Sequence, residues 1–125
     1  AFKLMKALTP GPYTFLLKAT KEMPKLVLAP KRKTAGLRIP NHKICQSLLA
    51  ELGSLLVSTS AKLPSGDEFY SPFELFDGLG HLVDIIVDDD QALSLDPSTV
   101  IDLTGPQFEV IREGQGMQAL STFIQ

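Results

Sequence analysis

The segment PGPYTFLLKAT, residues 10–20, sets a turn directly before a strand. Proline restricts the backbone angle φ, whereas glycine can take backbone angles that other residues avoid, so the segment is predicted to begin with a turn. The apolar run FLL that follows is typical of a half-buried strand. A second short strand, closed by proline, is predicted at residues 36–40. Asn41 is then predicted to cap a helix that carries an apolar stripe and ends at Gly53 in the left-handed conformation.

The middle of the chain contains two apolar runs separated by a helix signal. Residues 55–57 and 83–87 are predicted to be buried strands, because short continuous apolar runs are typical of strands covered on both faces. Between them, residues 71–74 resemble a capping box with proline at the first helical position. This helix is predicted to run to about Leu79.

The last third of the chain has the pattern of a β-hairpin followed by a helix. Residues 98–103 and 108–112 are strand-like and are joined by a short Gly-Pro loop. Residues 117–124 are predicted to form a final helix with Leu120 and Phe123 facing inward. Because strands alternate with helices but include a hairpin, we predict an α+β fold with a mixed, twisted sheet flanked by helices.

Charge is distributed unevenly along the chain. Residues 1–43 carry ten Lys or Arg and one acid, and residues 44–125 carry two Lys or Arg and thirteen acids. Two interpretations follow: a basic face that meets an anion, or two surfaces that neutralise each other in the fold. The length of 125 residues suits one domain, so residues 1–125 are predicted to form a single domain.

Several classes of protein are disfavoured by composition. Cys45 is the only cysteine, so no internal disulfide or cysteine-based metal cluster is expected, and a reducing, cytoplasmic setting is favoured. No apolar run approaches the roughly 20 residues that a membrane span needs. His42 and His81 lack the spacing of metal ligands, and no Ser/His/Asp arrangement has supporting context. We therefore predict no metal site and no catalytic nucleophile.

Polar side chains cluster mostly beside the ends of predicted strands, where open sheets place ligands. The clusters are residues 31–34 followed by Arg38, residues 58–62, residues 97–99 and residues 112–116. An arginine fork matches a carboxylate or phosphate, and small hydroxyl residues let a phosphate approach closely. Each cluster also has a plainer interpretation: a solvated loop, a strand exit, a capped strand start or a salt bridge of Arg112. Spacing alone leaves both open.

In their order along the chain, five motifs resemble the YrdC/YciO family of threonylcarbamoyl-AMP synthases, and residues 31–34 look most like its YciO branch. The motifs are PGPYTF at 10–15, GLRIP at 36–40, STSA at 58–61, PSTVID at 97–102 and IREG at 111–114. The resemblance implies a YrdC/RibB-like three-layer fold. It also implies that the chain is the C-terminal two-thirds of the family domain, without its N-terminal part.

The activity implied by the resemblance joins bicarbonate to the amine of L-threonine and transfers the carbamate to AMP, releasing pyrophosphate from ATP. The product serves tRNA threonylcarbamoyladenosine modification. ATP, with Mg²⁺ as its accompanying ion, L-threonine, bicarbonate and tRNA are the implied ligands and partners. By motif, the implied threonine contacts are Arg38, Ser60 and Ser98, and the implied ATP contacts are Thr34, Lys62 and Arg112.

Two features depart from the family pattern. Lys62 stands where the synthases usually have asparagine; lysine only donates hydrogen bonds, so it either strengthens phosphate binding, displaces magnesium or abolishes adenylate formation. The second departure is that residues 1–125 lack the Lys-x-Arg and threonine-rich segments with which the N-terminal part of the family domain completes the ATP site, so residues 1–125 alone are predicted to be inactive as a synthase. The alternative function is a non-catalytic, YciO-like protein that binds double-stranded RNA, with Lys31, Arg32 and Lys33 among its contacts.

Overall fold

The computed structural model describes residues 2–22, 33–66, 71–91, 94 and 96–124. The chain divides into two compact units, one built from Ala1–Leu55 with Asp96–Gln125 and the other from Leu56–Leu95. The helices are α1 (Phe2–Leu8), α2 (Lys43–Leu52), α3 (Pro72–Leu79) and α4 (Met117–Ile124). The strands are β1 (Tyr13–Lys18), β2 (Thr34–Arg38), β3 (Thr99–Asp102) and β4 (Glu109–Arg112).

The four strands form one mixed sheet in the first unit, in the order β2-β1-β3-β4. The two central strands β1 and β3 are parallel, and each edge strand is antiparallel to its neighbour. Strand β1 forms over the predicted apolar run, and β3 with β4 forms the predicted hairpin. Thus the α+β class and the mixed sheet are confirmed.

One face of the sheet carries the core of this unit. Because side chains alternate along a strand, Phe15 on β1 and Ile101 on β3 point to the same side, where both are fully buried. Leu4 and Leu8 of α1 and Leu120 of α4 cover them. Burying a side chain as large as phenylalanine or isoleucine contributes about 1.5–3 kcal/mol. Residues next to Phe15 and Ile101 in these strands point to the opposite face of the sheet, because successive side chains of a strand alternate.

Helix α2 ends as the sequence predicts but begins one residue later. His42, not Asn41, is the N-cap: its backbone is extended and its Nδ1 accepts from the Cys45 amide at 3.4 Å. Gly53 has φ 70° and its amide donates to the Leu49 carbonyl at 3.0 Å, which confirms the left-handed cap. The prediction of Asn41 as the N-cap was wrong, because the imidazole nitrogen of His42 accepts the hydrogen bond of the first-turn amide instead.

The other two predicted helices form over the expected residues. Ser71 caps α3 by accepting from the Glu74 amide at 3.3 Å, and the helix ends at Leu79. In α4, Leu120 is fully buried, but Phe123 is 46% exposed, so its predicted inward position was wrong. No helix in the described ranges is both long and apolar enough to cross a membrane.

The two strands predicted in the middle of the chain are wrong. Residues 55–57 and 83–87 have neither helical nor strand structure, and Leu55 and Ile85 are 78% and 80% exposed. A short apolar run forms a strand only when a neighbouring strand can pair with its backbone N–H and C=O groups. Both runs lie outside the four-stranded sheet, which is built entirely from residues 13–38 and 99–112.

Candidate functional site

Three of the six predicted ligand contacts share one end and one face of the sheet. Antiparallel pairing sets Arg38, the last residue of β2, opposite Thr14 near the start of β1. Parallel pairing sets Val100 beside Thr14, and Arg112 at the end of β4 is opposite Val100. Paired residues point to the same side of a sheet, which here is the side opposite the core. Ser98 lies two residues before Val100. We call the face that carries Thr14, Arg38, Ser98 and Arg112 the polar face.

Hydrogen bonds join three of these side chains directly. The hydroxyl oxygens of Thr14 and Ser98 are 2.7 Å apart, and either hydroxyl can be the donor. Arg112 donates from Nε and Nη2 to the Ser98 carbonyl oxygen at 3.1 and 2.9 Å, and Nη2 also donates to Ser98 Oγ at 3.2 Å. Ser98 is only 6% exposed, whereas Arg112 is exposed. The guanidinium is therefore held at the surface by a buried serine.

A β-bulge places Arg112 on the polar face. Ile101 pairs with Val110, but Val100 pairs with Arg112, so β4 contains one extra residue, Ile111, at this point. In an unbroken register Val100 would face Ile111, and Arg112 would point toward the core side. Bulges re-aim side chains in this way and are common beside binding sites. The isoleucine at the bulge is 48% exposed.

Two glycines after Arg112 allow close backbone contacts behind the site. A Cβ on Gly114 would overlap the Pro97 carbonyl oxygen, and its amide donates to Thr99 Oγ1 at 3.1 Å. Gly116 has φ 84°, and its carbonyl oxygen accepts from the hydroxyl of the buried Tyr13 at 2.9 Å. Burial raises the pKa of Tyr13. Protein groups therefore fill the space that a Cβ would take at both glycines.

Arg38 and Thr34 stand at opposite ends of β2. Arg38 is exposed, and its side chain makes no hydrogen bond or ion pair within the described ranges. Thr34 pairs with Lys18 on β1, about 13 Å from Arg38 along the strand. Thr34 therefore shares the face but not the end of the sheet at which Ser98 and Arg112 meet.

The remaining predicted contacts lie outside this unit or outside the described residues. Ser60 and Lys62 belong to the second unit, where both are exposed and in neither helix nor strand. Of the proposed RNA contacts, Lys33 is exposed with a positive φ of 49°, while Lys31 and Arg32 fall outside the described residues.

Acidic side chains in the second unit are engaged by their own backbone. Asp88 Oδ1 accepts from the Asp90 amide at 2.9 Å, and Asp89 Oδ1 accepts from the Gln91 amide at 3.1 Å. Across the described residues, no three His, Cys, Asp or Glu side chains gather closely enough to hold a metal ion.

Thr14 is the residue of this site that sequence reasoning missed. It lies within the PGPYTF motif but received no role there. The signal in the sequence is the alternation Tyr13-Thr14-Phe15, in which a small polar residue separates two aromatic ones. The structure buries both aromatic side chains. A residue between two inward-facing aromatics must point to the other face.

Comparison with known proteins gives a family match. The Sua5/YciO/YrdC family model, described as "Telomere recombination", matches residues 1–114. The chain is 50% identical over 118 residues to the uncharacterized protein YciO of Escherichia coli K12, covering 93% of the chain and 56% of YciO. It is 35% identical over 128 residues to the threonylcarbamoyl-AMP synthase of Bos taurus, covering 98% and 46%. The chain thus spans about half the length of the curated relatives it matches.

Solved structures share the fold. The crystal structure of E. coli YciO superposes with a TM-score of 0.80 at 49% identity, covering 93% of the chain and 56% of YciO. The structure of P. abyssi Sua5 complexed with L-threonine superposes with a TM-score of 0.83 at 23% identity, covering 98% and 36%. At 23% identity, the likeness to P. abyssi Sua5 concerns the fold alone.

Proposed function

The chain belongs to the Sua5/YciO/YrdC family, and we propose that its polar face binds L-threonine as part of a threonylcarbamoyl-AMP synthase-like site. The observation that carries this proposal is the convergence of Arg38, Thr14, Ser98 and Arg112 at one end of the sheet. A relative of the same fold has been crystallised with L-threonine, which supports the same ligand class here.

The two arginines are spaced for a ligand with two anionic ends. Arg38 is on one edge strand and Arg112 on the other, so three strand spacings, or roughly 14 Å, separate their backbones. Arg38 has its donor fork unused within the described residues, which suits the carboxylate of threonine. Arg112 uses Nε and Nη2 on Ser98, which leaves Nη1 for a phosphate of ATP.

The other contacts follow from the family motifs. We propose Ser60 and Ser98 as further threonine contacts, and Thr34 and Lys62 as ATP contacts. The threonine nitrogen attacks bicarbonate carbon with loss of water, and a carbamate oxygen then attacks the α-phosphorus of ATP while pyrophosphate leaves. The residues act by positioning these groups and by stabilising charge on the phosphates. Mg²⁺ would arrive bound to the ATP phosphates rather than in a protein cage.

Pyrophosphate release tests the enzymatic proposal. The full-length protein is incubated with ATP, L-threonine and bicarbonate, and matched reactions omit threonine or bicarbonate. Release that requires all three substrates is the expected result. Release that is absent, or that persists without threonine, would contradict the synthase reaction. Calorimetric titration of L-threonine alone then shows separately whether the amino acid site exists.

A second candidate function is binding to double-stranded RNA without catalysis. The supporting observation is that every described Lys or Arg in the basic segment, residues 1–43, is exposed. Phosphate contacts release counterions, so the affinity should fall steeply as salt rises. A flat salt response, or no binding at low salt, would remove this candidate.

A further inference from the structure

Thr14 lies between the two groups proposed to hold threonine. Its hydroxyl is 2.7 Å from Ser98 Oγ, and its backbone is directly opposite Arg38 on the neighbouring strand. Directly opposed residues have Cβ atoms about 4.5–5.5 Å apart and point to the same side. A carboxylate held by Arg38 would therefore lie over Thr14 and beside Ser98.

Resting on the proposed threonine site, we propose that Thr14 is a positioning residue that makes the Ser98 hydroxyl a donor to the ligand carboxylate. A serine hydroxyl has one proton and two acceptor positions. Arg112 Nη2 occupies one acceptor position, because arginine only donates. If Thr14 donates to the other, the Ser98 proton can only point outward, toward an acceptor.

The opposite order of donors would suit a different ligand. If Ser98 donates to Thr14, then Ser98 keeps an acceptor position and would receive a ligand N–H. A carboxylate has no proton to give, so a bound carboxylate selects the order in which Thr14 and Arg112 both donate to Ser98. Because Ser98 is only 6% exposed, water offers little replacement for a missing donor. Thr14 thereby supplies the donor that the carboxylate-binding order requires.

Paired variants and paired ligands test this role on the full-length protein. Thr14→Val keeps the side-chain shape without the hydroxyl, and Thr14→Ser keeps the hydroxyl; Thr14→Ala serves as the hydroxyl-free variant if the valine protein does not fold. Calorimetry measures the affinity for L-threonine and for L-threoninamide. Thr14→Val removes the hydrogen bond from Thr14 to Ser98 that holds the Ser98 proton toward the carboxylate, and loss of this bond between two neutral hydroxyls should weaken L-threonine binding by about 3- to 10-fold. Thr14→Ser should stay within about twofold of the unaltered protein.

The amide separates positioning from simple structural support. In Thr14→Val the freed acceptor position of Ser98 can take an amide N–H, so L-threoninamide should lose less than about threefold. Equal losses for both ligands, unchanged L-threonine binding in Thr14→Val, or failure of serine to restore it would overturn the role of Thr14. Absence of L-threonine binding by the unaltered protein would instead overturn the proposed threonine site, and this inference with it.

Discussion

Alanine at Gly116 should destabilise the protein far more than alanine at Gly53, although both glycines have positive φ. Gly53 has φ 70°, and no atom of the described residues lies within 4 Å of the position that a Cβ would take, so Gly53→Ala bears only the left-handed backbone cost of about 1–2 kcal/mol. At Gly116, φ is 84° and a Cβ would lie 2.6 Å from the Tyr13 hydroxyl oxygen. Tyr13 is 4% exposed and bonded to the Gly116 carbonyl, so its ring cannot move aside freely. Crowding of this kind adds about 1–3 kcal/mol.

The expected cost of Gly116→Ala is therefore about 2–5 kcal/mol, against about 1–2 kcal/mol for Gly53→Ala. Urea unfolding followed by circular dichroism measures both, and equal m-values show that the comparison is valid. The effect of alanine on the unfolded chain is common to the two variants and cancels in their difference. Costs that agree within about 0.5 kcal/mol would refute the close packing of Tyr13 on the Gly116 backbone.

Three further outcomes are expected. Arg38→Lys should weaken L-threonine binding about tenfold in calorimetry, because lysine keeps the charge but loses the fork; Lys18→Ala, an exposed cation at the far end of β1, should leave binding unchanged. Tyr13→Phe should cost about 1 kcal/mol of unfolding free energy at neutral pH, because it removes the hydrogen bond to the Gly116 carbonyl oxygen. Burial raises the pKa of Tyr13 above the 10.0 of an ordinary tyrosine, so the unaltered protein should lose stability relative to the variant as pH rises beyond about 10. Parallel curves of stability against pH for the two proteins would contradict this. Ser71→Ala should cost about 1 kcal/mol in urea unfolding by removing the cap of α3, whereas Ser71→Gly should cost only a few tenths.

Local signals predicted the parts of the fold that local chemistry decides. The apolar run after PGPY forms strand β1, the Gly-Pro loop joins β3 to β4, and Ser71 and Gly53 cap their helices. The runs at 55–57 and 83–87 were mistaken for strands because hydrophobicity does not say whether a partner strand is within reach. Pairing depends on residues far away in sequence, which a pattern of a few residues does not contain.

The candidate site was predicted as a set of residues but not as an arrangement. Motif order indicated Arg38, Ser98 and Arg112, yet nothing in the sequence indicates the bulge at Ile111 that turns Arg112 to the polar face. The sequence also does not show that Arg112, the one arginine of the acidic segment, donates to the Ser98 carbonyl and hydroxyl oxygens. Both facts depend on register, and a shift of one residue reverses the face that every following side chain occupies.

Topology, rather than the charge split along the chain, accounts for the paired arginines of the polar face. Arg38 comes from the basic segment and Arg112 from the acidic one, but the order β2-β1-β3-β4 sets them at the same level on the two edge strands. Between them at this level lie Thr14 of β1 and Ser98 just before β3, both of which are uncharged hydroxyl residues. A ligand across this face therefore meets positive charge at its two ends and hydrogen-bonding hydroxyls in the middle. That pattern suits an amino acid joined to a phosphate better than it suits a uniformly charged polymer, which would require cations along its whole length.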